Sequence, residues 1–197
     1  KVYNTNIHVL WIDNRDGNNE VYYKRSTNSG LNWGDDIRLT NNSAFSYQQS
    51  ITVNASTLHV TWTDNRDGIN GEIYYKKSTN NGTSWTLTPL VIGQNNHQTI
   101  LSLATIGNSI FAGSVDYGIF VSTNYSSSWS QTSLVNKTVH SLVPYNNNNL
   151  LAGTNQYGVY TSTNLGVSWV QSNQGFTTIP TVRSLLITDN YIFAGTE

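Results

Sequence analysis

The sequence predicts an all-β fold in which four-stranded antiparallel sheets pack as the blades of a β-propeller. Three observations predict it. An eight-residue unit that opens with Ser-Thr-Asn and closes with Trp occurs four times in the 197 residues. Successive copies begin 52, 44 and 40 residues apart, a spacing typical of repeat architectures. A strand-like run of β-branched and aromatic residues, such as Glu20-Val21-Tyr22-Tyr23-Lys24, precedes each copy.

Each eight-residue unit, called the octet below, is predicted to be the hairpin turn between a blade's third and fourth strands. Ser and Asn at positions 1 and 3 can hydrogen-bond nearby backbone N–H groups, and Gly at position 5 of three copies fits a positive φ. The Trp at position 8 is large enough to close the gap between packed sheets. The residues assigned this structural role are Ser26, Asn28, Gly30, Trp33, Ser78, Asn80, Gly82, Trp85, Ser122, Asn124, Trp129, Ser162, Asn164, Gly166 and Trp169.

The octet resembles the Asp-box of sialidase-type β-propellers, Ser-x-Asp-x-Gly-x-x-Trp. This chain carries Asn where Asp is usual in all four copies, and Ser126 replaces Gly in the third. The later repeats resemble those of xyloglucanase-type glycan hydrolases, photosystem assembly factors and large bacterial surface proteins. The resemblance implies a propeller fold over nearly the whole chain. It implies little about function, because in that family the box is a structural turn on the face opposite the active site.

The chain divides into five successive units. The first two share a Trp, a His and the run Asp-Asn-Arg-Asp-Gly at equivalent positions, whereas the third and fourth share Ala-Gly and Tyr-Gly pairs. The fifth contains only two predicted strands, and an unpaired strand edge invites another strand. We therefore expect either part of a larger propeller or an open edge that pairs with another chain. The predicted units are residues 1–48, 49–97, 98–139, 140–180 and 181–197.

Composition narrows the classes of function. Charged residues make up 11% of the chain and the net charge is −1, which argues against nucleic-acid binding through phosphate neutralisation. Cysteine is absent, so disulfides and thiol chemistry are excluded. No apolar run approaches the roughly 20 residues that span a bilayer, so membrane insertion is not expected. Met is absent even at position 1, which indicates a processed product or a piece of a longer chain. We expect an extracellular protein, secreted or on the cell surface.

The turns between second and third strands are the candidate ligand site. Turns alternate between the two ends of an antiparallel blade, so these turns lie opposite the octets. In the resembled family this face bears the ligand. Two of the turns carry Asp-Asn-Arg-Asp-Gly, and the corresponding turns of the later units carry Tyr. The candidate ligand-binding residues are Asp13, Arg15, Asp16, Asp64, Arg66, Asp67, Tyr117 and Tyr157.

Two interpretations of the charged turns stay open. In the first, Asp13 and Asp64 cap hairpin turns and each Arg pairs with a neighbouring carboxylate. In the second, Arg15 and Arg66 bind anionic groups or sugar hydroxyls with a planar fork of donors. Calcium is a further alternative, although the spacing of the oxygen ligands does not match the twelve-residue calcium loop. Its ligands would be Asp13, Asp16, Asn18 and Glu20, and Asp64, Asp67, Asn70 and Glu72.

Catalysis is weakly indicated, and no catalytic residue is predicted. A glycosidase needs two carboxylates facing one sugar ring. The resembled sialidases use a Tyr nucleophile, an acid and three arginines, and their N-terminal Arg-Ile-Pro motif is missing here. His8 and His59 are repeat-equivalent strand residues, so metal ligation by them is not expected.

The predicted function is a non-catalytic scaffold that binds a glycan or a protein. Two alternatives stay open: a fragment of a sialidase-like or other glycoside hydrolase, and a structural subunit of an extracellular assembly or filament that self-associates through open blade edges. Five Asn-x-Ser/Thr sequons could accept a glycan, although sequons arise by chance in a chain rich in these residues. They begin at Asn41, Asn54, Asn81, Asn124 and Asn136.

Overall fold

Strands are the only regular elements in the computed structural model, which describes residues 1–67, 71–88, 99–188 and 191–197. These residues form four four-stranded antiparallel sheets and one two-stranded sheet. The predicted all-β class and the blades of four antiparallel strands are therefore confirmed. Within the same residues, no helix has the length and hydropathy required to cross a membrane. Residues 1–67 and 71–88 belong to one compact unit, and residues 101–188 and 191–197 belong to a second.

The first compact unit contains two blades, and in each the strands are hydrogen-bonded in chain order. The second blade begins at Ser46, before the expected boundary at residue 49, and of its predicted outer strand residues 89–92 lie outside the described residues. Blade 1 consists of β1 (Val2–Tyr3), β2 (Asn6–Asp13), β3 (Glu20–Ser26) and β4 (Ile37–Arg38). Blade 2 consists of β5 (Ser46–Asn54), β6 (Thr57–Asp64), β7 (Glu72–Ser78) and β8 (Thr86–Thr88).

The second compact unit contains two more blades and a final hairpin. Blade 3 consists of β9 (Ile100–Ile106), β10 (Ser109–Ser114), β11 (Gly118–Ser122) and β12 (Ser130–Gln131). Blade 4 consists of β13 (Val139–Tyr145), β14 (Asn149–Thr154), β15 (Gly158–Ser162) and β16 (Val170–Gln171). The final hairpin pairs β17 (Val182–Ile187) with β18 (Ile192–Thr196).

The octets form the same hydrogen-bonded turn between the third and fourth strands of all four blades. The Ser hydroxyl at position 1 lies 2.9–3.0 Å from the Asn Oδ1 at position 3 and accepts the N–H of position 5 at 2.8–2.9 Å. The same Oδ1 accepts the N–H of position 7 at 2.8–2.9 Å. Asn thus supplies the acceptor that the turn needs without carrying a charge.

Position 5 of every octet has a positive φ, which is the physical reason for Gly there. The angle is 88° at Gly30 and 80° at both Gly82 and Gly166. The third octet holds Ser126 at 73°, so a residue with a Cβ occupies left-handed backbone. This turn therefore keeps its hydrogen bonds at the cost of local strain.

Replacing Ser126 with Gly should stabilise the protein. Relief of the left-handed strain outweighs the extra freedom of Gly in the unfolded chain, and we expect the free energy of unfolding to rise by about 0.5–1 kcal/mol. Urea denaturation of Ser126→Gly and of the wild type measures the change. Ser126→Ala is the control, because it removes the hydroxyl and keeps the Cβ. A Ser126→Gly protein no more stable than Ser126→Ala would contradict the assignment of strain.

Octets of the following blade cover aromatic residues of the preceding one, and this contact builds the core of each unit. In the first unit the Trp85 indole meets the Tyr23 ring edge-on, with centroids 5.0 Å apart. In the second unit Gly166 lies against Phe111, and Trp169 packs against the same apolar cluster. Tyr23 and Phe111 are both fully buried. The octet is therefore a turn and an inter-blade contact at once.

Each blade of the first unit also buries a His–Tyr pair. His8 Nδ1 lies 2.7 Å from the Tyr23 hydroxyl, and His59 Nδ1 lies 2.6 Å from the Tyr75 hydroxyl. Burial lowers the pKa of each His to about 4, and burial raises the pKa of Tyr23 to about 12. At pH 7 the imidazoles are therefore neutral, and each shares a buried hydrogen bond with its Tyr hydroxyl.

Candidate functional site

The first charged turn, between β2 and β3, is held by its own side chains. Asp13 Oδ1 accepts the Arg15 N–H at 2.9 Å, and Oδ2 accepts Arg15 Nη2 at 2.5 Å and Trp11 Nε1 at 3.1 Å. Hydrogen bonds from Arg15 are the main reason that the pKa of Asp13 is far below its usual value. Arg15 Nη1 also bonds Asp36 at 2.8 Å, and the guanidinium carbon lies 4.7 Å from the centre of the Tyr22 ring. The planar fork is engaged at both ends.

The equivalent turn after β6 repeats this geometry at a more buried position. Asp64 accepts the Arg66 N–H at 2.9 Å and Arg66 Nη2 at 2.5 Å, and the guanidinium carbon lies 4.1 Å from the centre of the Tyr74 ring. Asn42 Nδ2 and Ser46 Oγ add two bonds to Asp64, each 3.2 Å long. Burial opposes ionisation of Asp64, but the bonds from Arg66 still hold its pKa below the usual value. Gly68 of this turn lies outside the described residues.

Capping by the carboxylate is thus common to both turns. The side chain of Asp13 is 22% exposed, whereas that of Asp64 is 0% exposed because the connection between blades 1 and 2 covers it. Ligand binding by Asp13, Arg15, Asp64 and Arg66 stays a prediction. If it occurs, the ligand must compete with pairs that are already formed.

Replacing Asp64 with Ala should cost more stability than replacing Asp13. Asp64 also accepts a longer bond from Trp62 Nε1, at 3.4 Å, so four side chains share this buried acceptor. Because these donors would lose it, we expect Asp64→Ala to lower the free energy of unfolding by about 2–3 kcal/mol. The more exposed carboxylate of Asp13 should matter less, because water can replace it. Parallel urea denaturations of the two variants measure the difference, and equal losses would show that burial of Asp64 is not the cause.

The other residues proposed as calcium ligands are bonded to protein groups that differ from one residue to the next. The Tyr22 hydroxyl donates to Asp16, which also pairs with Arg38 Nη1 at 3.1 Å. Asn18 Nδ2 donates to backbone carbonyls, and the buried Glu20 pairs with Arg38 Nη2 at 2.8 Å. In the second blade the Tyr74 hydroxyl donates to Asp67, and Asn70 lies outside the described residues. Within residues 1–67, 71–88, 99–188 and 191–197, no three acidic or His side chains are placed to hold a metal ion.

The corresponding turns of blades 3 and 4 each present a tyrosine. Tyr117 and Tyr157 are each 45% exposed at equivalent positions. The preceding residues, Asp116 and Gln156, have φ of 60° and 61°, so both turns have the same backbone path. Lys137 lies beside them, because its Nζ is 3.8 Å from the centre of the Tyr157 ring. Tyr117, Tyr157 and Lys137 are called the tyrosine face below.

The connections between blades fix these two tyrosine turns. Thr138 accepts the Asp116 N–H at 3.1 Å and donates to its carboxylate at 2.8 Å. Thr181 accepts the Gln156 N–H at 3.1 Å in the same way. The amide of Gln131 donates to the Tyr117 carbonyl at 2.5 Å, and an equivalent bond of 2.7 Å reaches the Tyr157 carbonyl. The backbone under each ring is therefore held, while the ring stays half exposed.

Sequence reasoning missed several of these partners. Asp36 lies in a connection with no repeated motif. Thr138 and Thr181 each begin a Thr-Val-x-Ser-Leu run, a repeat that could have pointed to them. The partners of all three lie more than 20 residues away in the chain. Lys137 could have been selected as a candidate from the sequence, since it is one of only two Lys or Arg residues after position 97. The other, Arg183, donates to His140 Nε2 at 2.8 Å and pairs with Glu197.

The Asn side chains of the five sequons differ in hydrogen bonding and in exposure to solvent. Asn124 Nδ2 donates to Ser128 at 2.8 Å inside an octet, and Asn81 Nδ2 donates to Asn6 at 3.1 Å, so a glycan at either would break a bond. Asn54 is half-buried, and Asn41 and Asn136 are exposed on connections between blades. Glycosylation stays a prediction, and the structure favours the last two positions.

Two cavities of the first compact unit lie away from Arg15 and Arg66. One of about 370 Å³ lies between β2 and β5 and includes His8, Gln49 and Ile51. The other, of about 240 Å³, lies at the octet of blade 1 beside Trp33. The sequence predicted a packing role for every Trp. Trp33 departs from this, since it is 42% exposed.

Solved structures with the same arrangement of sheets identify the fold. The chain is similar to "YCF48 bound to D1 peptide", with 13% identity and a TM-score of 0.62 over 100% of this chain and 67% of that one. It is similar to a mutant NanB sialidase from Streptococcus pneumoniae, with 10% identity and a TM-score of 0.64 over 84% of this chain and 49% of that one. It is also similar to a GH74 enzyme from Niastella koreensis, with 17% identity and a TM-score of 0.62 over 88% and 29%.

These neighbours are β-propellers. The chain is a β-propeller. The propeller fold that the octets suggested is therefore confirmed. Sequence identities this low show the fold alone and not the function. The chain spans about two thirds of the first neighbour, half of the second and less than a third of the last. By sequence, no protein family and no curated protein matches it.

Proposed function

We propose that this propeller is a non-catalytic scaffold that binds a glycan or a protein segment on the turns between the second and third strands of blades 3 and 4. The single observation that supports it is the pair of half-exposed rings at Tyr117 and Tyr157, repeated one blade apart on fixed backbone. Tyrosine offers a flat apolar surface and a hydroxyl, and it loses little conformational entropy on binding. Such rings suit both sugar rings and peptide side chains.

The charged turns of blades 1 and 2 are less suited to be the first contact. Arg15 already bonds Asp13 and Asp36, and Arg66 bonds Asp64, so a ligand would have to replace charged partners. Breaking a bidentate or buried pair costs more than covering an exposed ring. We therefore assign the ligand contact to the tyrosine face, at Tyr117 and Tyr157, and we keep Arg15 and Arg66 as a separate candidate site on the first compact unit.

A binding screen with matched variants tests this function. Glycan-array and peptide-array binding is compared for the wild type, for the double variant Tyr117→Ala/Tyr157→Ala, and for Tyr125→Ala. Tyr125 is 54% exposed at the octet end of blade 3, so its loss removes an equally exposed ring from the opposite end. We expect the double variant to lose at least tenfold in affinity and Tyr125→Ala to bind as the wild type. Equal binding by all three proteins would overturn the assignment.

We further propose an extracellular location, secreted or on the cell surface. A scaffold that binds glycans or surface proteins meets its ligands there, and Asn41 and Asn136 are exposed enough to be glycosylated. Mass spectrometry of protein from its natural source would support this with glycan at these positions or with recovery from the culture medium. Recovery from the cytoplasm alone would contradict it.

A fragment of a glycoside hydrolase is the second candidate, because the solved neighbours include a sialidase and a GH74 enzyme. Asp116, the carboxylate nearest to the exposed tyrosines in sequence, is bonded to Thr138. Release of product from a sialoside or a β-glucan, lost on Asp116→Asn, would favour this candidate over the scaffold.

Self-association is a third candidate, with its own observation. Phe193 on β18 is 55% exposed, whereas its repeat equivalents Phe111 and Leu151 are 0% and 2% exposed. Ile192 is also 55% exposed, and its equivalents Ile110 and Leu150 are buried. An exposed apolar edge strand favours pairing with another chain. Light scattering of the purified protein would support an assembly if the mass were a multiple of that of one chain.

A further inference from the structure

The octet of blade 1 differs from the other three at position 7. Ser occupies this position in those copies, and its hydroxyl accepts the side-chain N–H of the octet Asn at 2.8–2.9 Å. Blade 1 has Asn32 instead, and no such bond joins Asn28 Nδ2 to it among the described residues. The bonds to Asn28 Oδ1 are kept, at 2.9 Å from Ser26 and 2.8 Å from the Asn32 N–H. The turn is therefore intact, but its amide N–H groups are available.

The indole of the same octet is also available. Trp85 is packed on Tyr23, and Trp169 packs in its core cluster and donates Nε1–H to the Gly166 carbonyl at 3.1 Å. Trp33 is instead 42% exposed and forms one wall of the cavity of about 240 Å³. The other lining residues are Arg25, Thr27, Asn28, Asn32 and Gly34.

The side chains that line this cavity include several N–H donors. Arg25 donates Nη1 to the Asn81 carbonyl at 2.5 Å, a neutral partner that leaves its charge uncompensated there. Asn28 and Asn32 contribute side-chain amides, and no carboxylate is among the described lining residues. The cavity thus combines a positive charge, amide donors and the exposed face of an indole.

We propose that this cavity binds a sugar ring that carries a carboxylate or a sulfate. The C–H face of a pyranose covers the Trp33 ring, the anionic group accepts from Arg25, and ring hydroxyls accept from Asn28 and Asn32. A neutral sugar leaves the guanidinium unpaired, and a simple anion leaves the indole uncovered. The lining residues all belong to blade 1, so this proposal does not depend on the one for Tyr117 and Tyr157.

Titration with three small probes tests the proposal on the whole chain. Glucuronic acid, glucose 6-sulfate and glucose are added at millimolar concentration, and binding is followed by tryptophan fluorescence and by isothermal calorimetry. We expect both anionic sugars to bind at least fivefold more tightly than glucose. The two anionic arms show whether the carboxylate or the sulfate is preferred. Equal affinity for all three sugars, or no binding at 50 mM ligand (about 1.8 kcal/mol), would overturn the proposal.

Three variants assign the binding to this cavity. Asn32→Ser restores the residue of the other octets, so it should engage the Asn28 amide, keep the fold and weaken binding severalfold. Arg25→Gln should remove the preference for anionic sugars, while Arg25→Lys, which keeps the charge, should retain part of it. Unchanged binding by both Asn32→Ser and Arg25→Gln would place the sugar elsewhere. A dimer in light scattering that Trp33→Ala converts to a monomer would show that a second copy covers the indole, which also overturns the proposal.

Discussion

Replacing Gly82 with Ala should lower the free energy of unfolding by about 4 kcal/mol or more, because strain and steric overlap act together. Gly82 has φ of +80°, and a Cβ there would lie 2.0 Å from the Tyr23 hydroxyl oxygen and 2.5 Å from its Cζ. Tyr23 is fully buried and its hydroxyl is bonded to His8, so the ring cannot move aside without losing that bond. The contact at risk is the one by which blade 2 covers blade 1.

Two other glycines provide graded controls for this substitution. Gly166 has φ of +80°, but the atom nearest to its Cβ would be Phe111 Cε1, at 3.1 Å, so the overlap is much smaller. Gly17 has φ of +105° with nothing within 4 Å, so an Ala there adds the conformational cost alone. Urea denaturation should rank the losses as Gly82→Ala, then Gly166→Ala, then Gly17→Ala. A Gly82→Ala protein as stable as Gly17→Ala would show that Tyr23 can yield.

Acidification from pH 6.5 to 4 should substantially lower the free energy of unfolding of the wild-type protein. Burial, with help from the charge of Lys77, lowers the pKa of His59 from 6.5 to about 4. Across this range the unfolded chain binds a proton at His59 and the folded protein does not, so stability falls as the pH falls. For one His the loss approaches about 3 kcal/mol, and below pH 4 it no longer grows. His8 acts in the same direction.

Urea denaturation at pH 7 and at pH 4.5 measures this effect. The double variant His8→Gln/His59→Gln removes both titrating groups, so its stability should change much less between the two pH values. In the unfolded chain Asp carboxylates titrate near 3.8 and Glu carboxylates near 4.5, so the double variant also measures what the carboxylates contribute between the two pH values. A wild-type protein equally stable at both pH values would contradict the assignment of neutral, buried imidazoles.

The repeating parts of this fold could be predicted because the determining contacts are local. Ser26, Asn28 and Gly30 form their turn within five residues, and the same pattern recurs wherever the octet recurs. The β-branched and aromatic runs in β3 and β7 likewise predict which segments form strands. The four copies of the motif, together with the strand-like runs around them, were enough to predict four blades.

The parts that could not be predicted depend on neighbours far away in the chain. Asp13 and Asp64 stand in identical pentapeptides, yet only Asp64 is covered by Asn42 and Ser46. Trp33 and Trp85 occupy the same octet position, yet only Trp85 meets a preceding tyrosine. Local sequence specifies the turn, whereas burial is specified by the adjacent sheet. Equivalent residues therefore acquire different chemistry, and the candidate sites lie where the repeat is not fully covered.

The absence of charge in the octets affects how this propeller should unfold in acid. Its four hairpin networks contain only hydroxyls, amides and backbone groups, so neither protons nor dissolved salt can titrate or screen them. In acid the buried imidazoles should be the first weakness, and the tips of the blades should persist. Hydrogen exchange at pH 4.5 should then show protected octet amides in a molecule whose strands around His8 and His59 have begun to open.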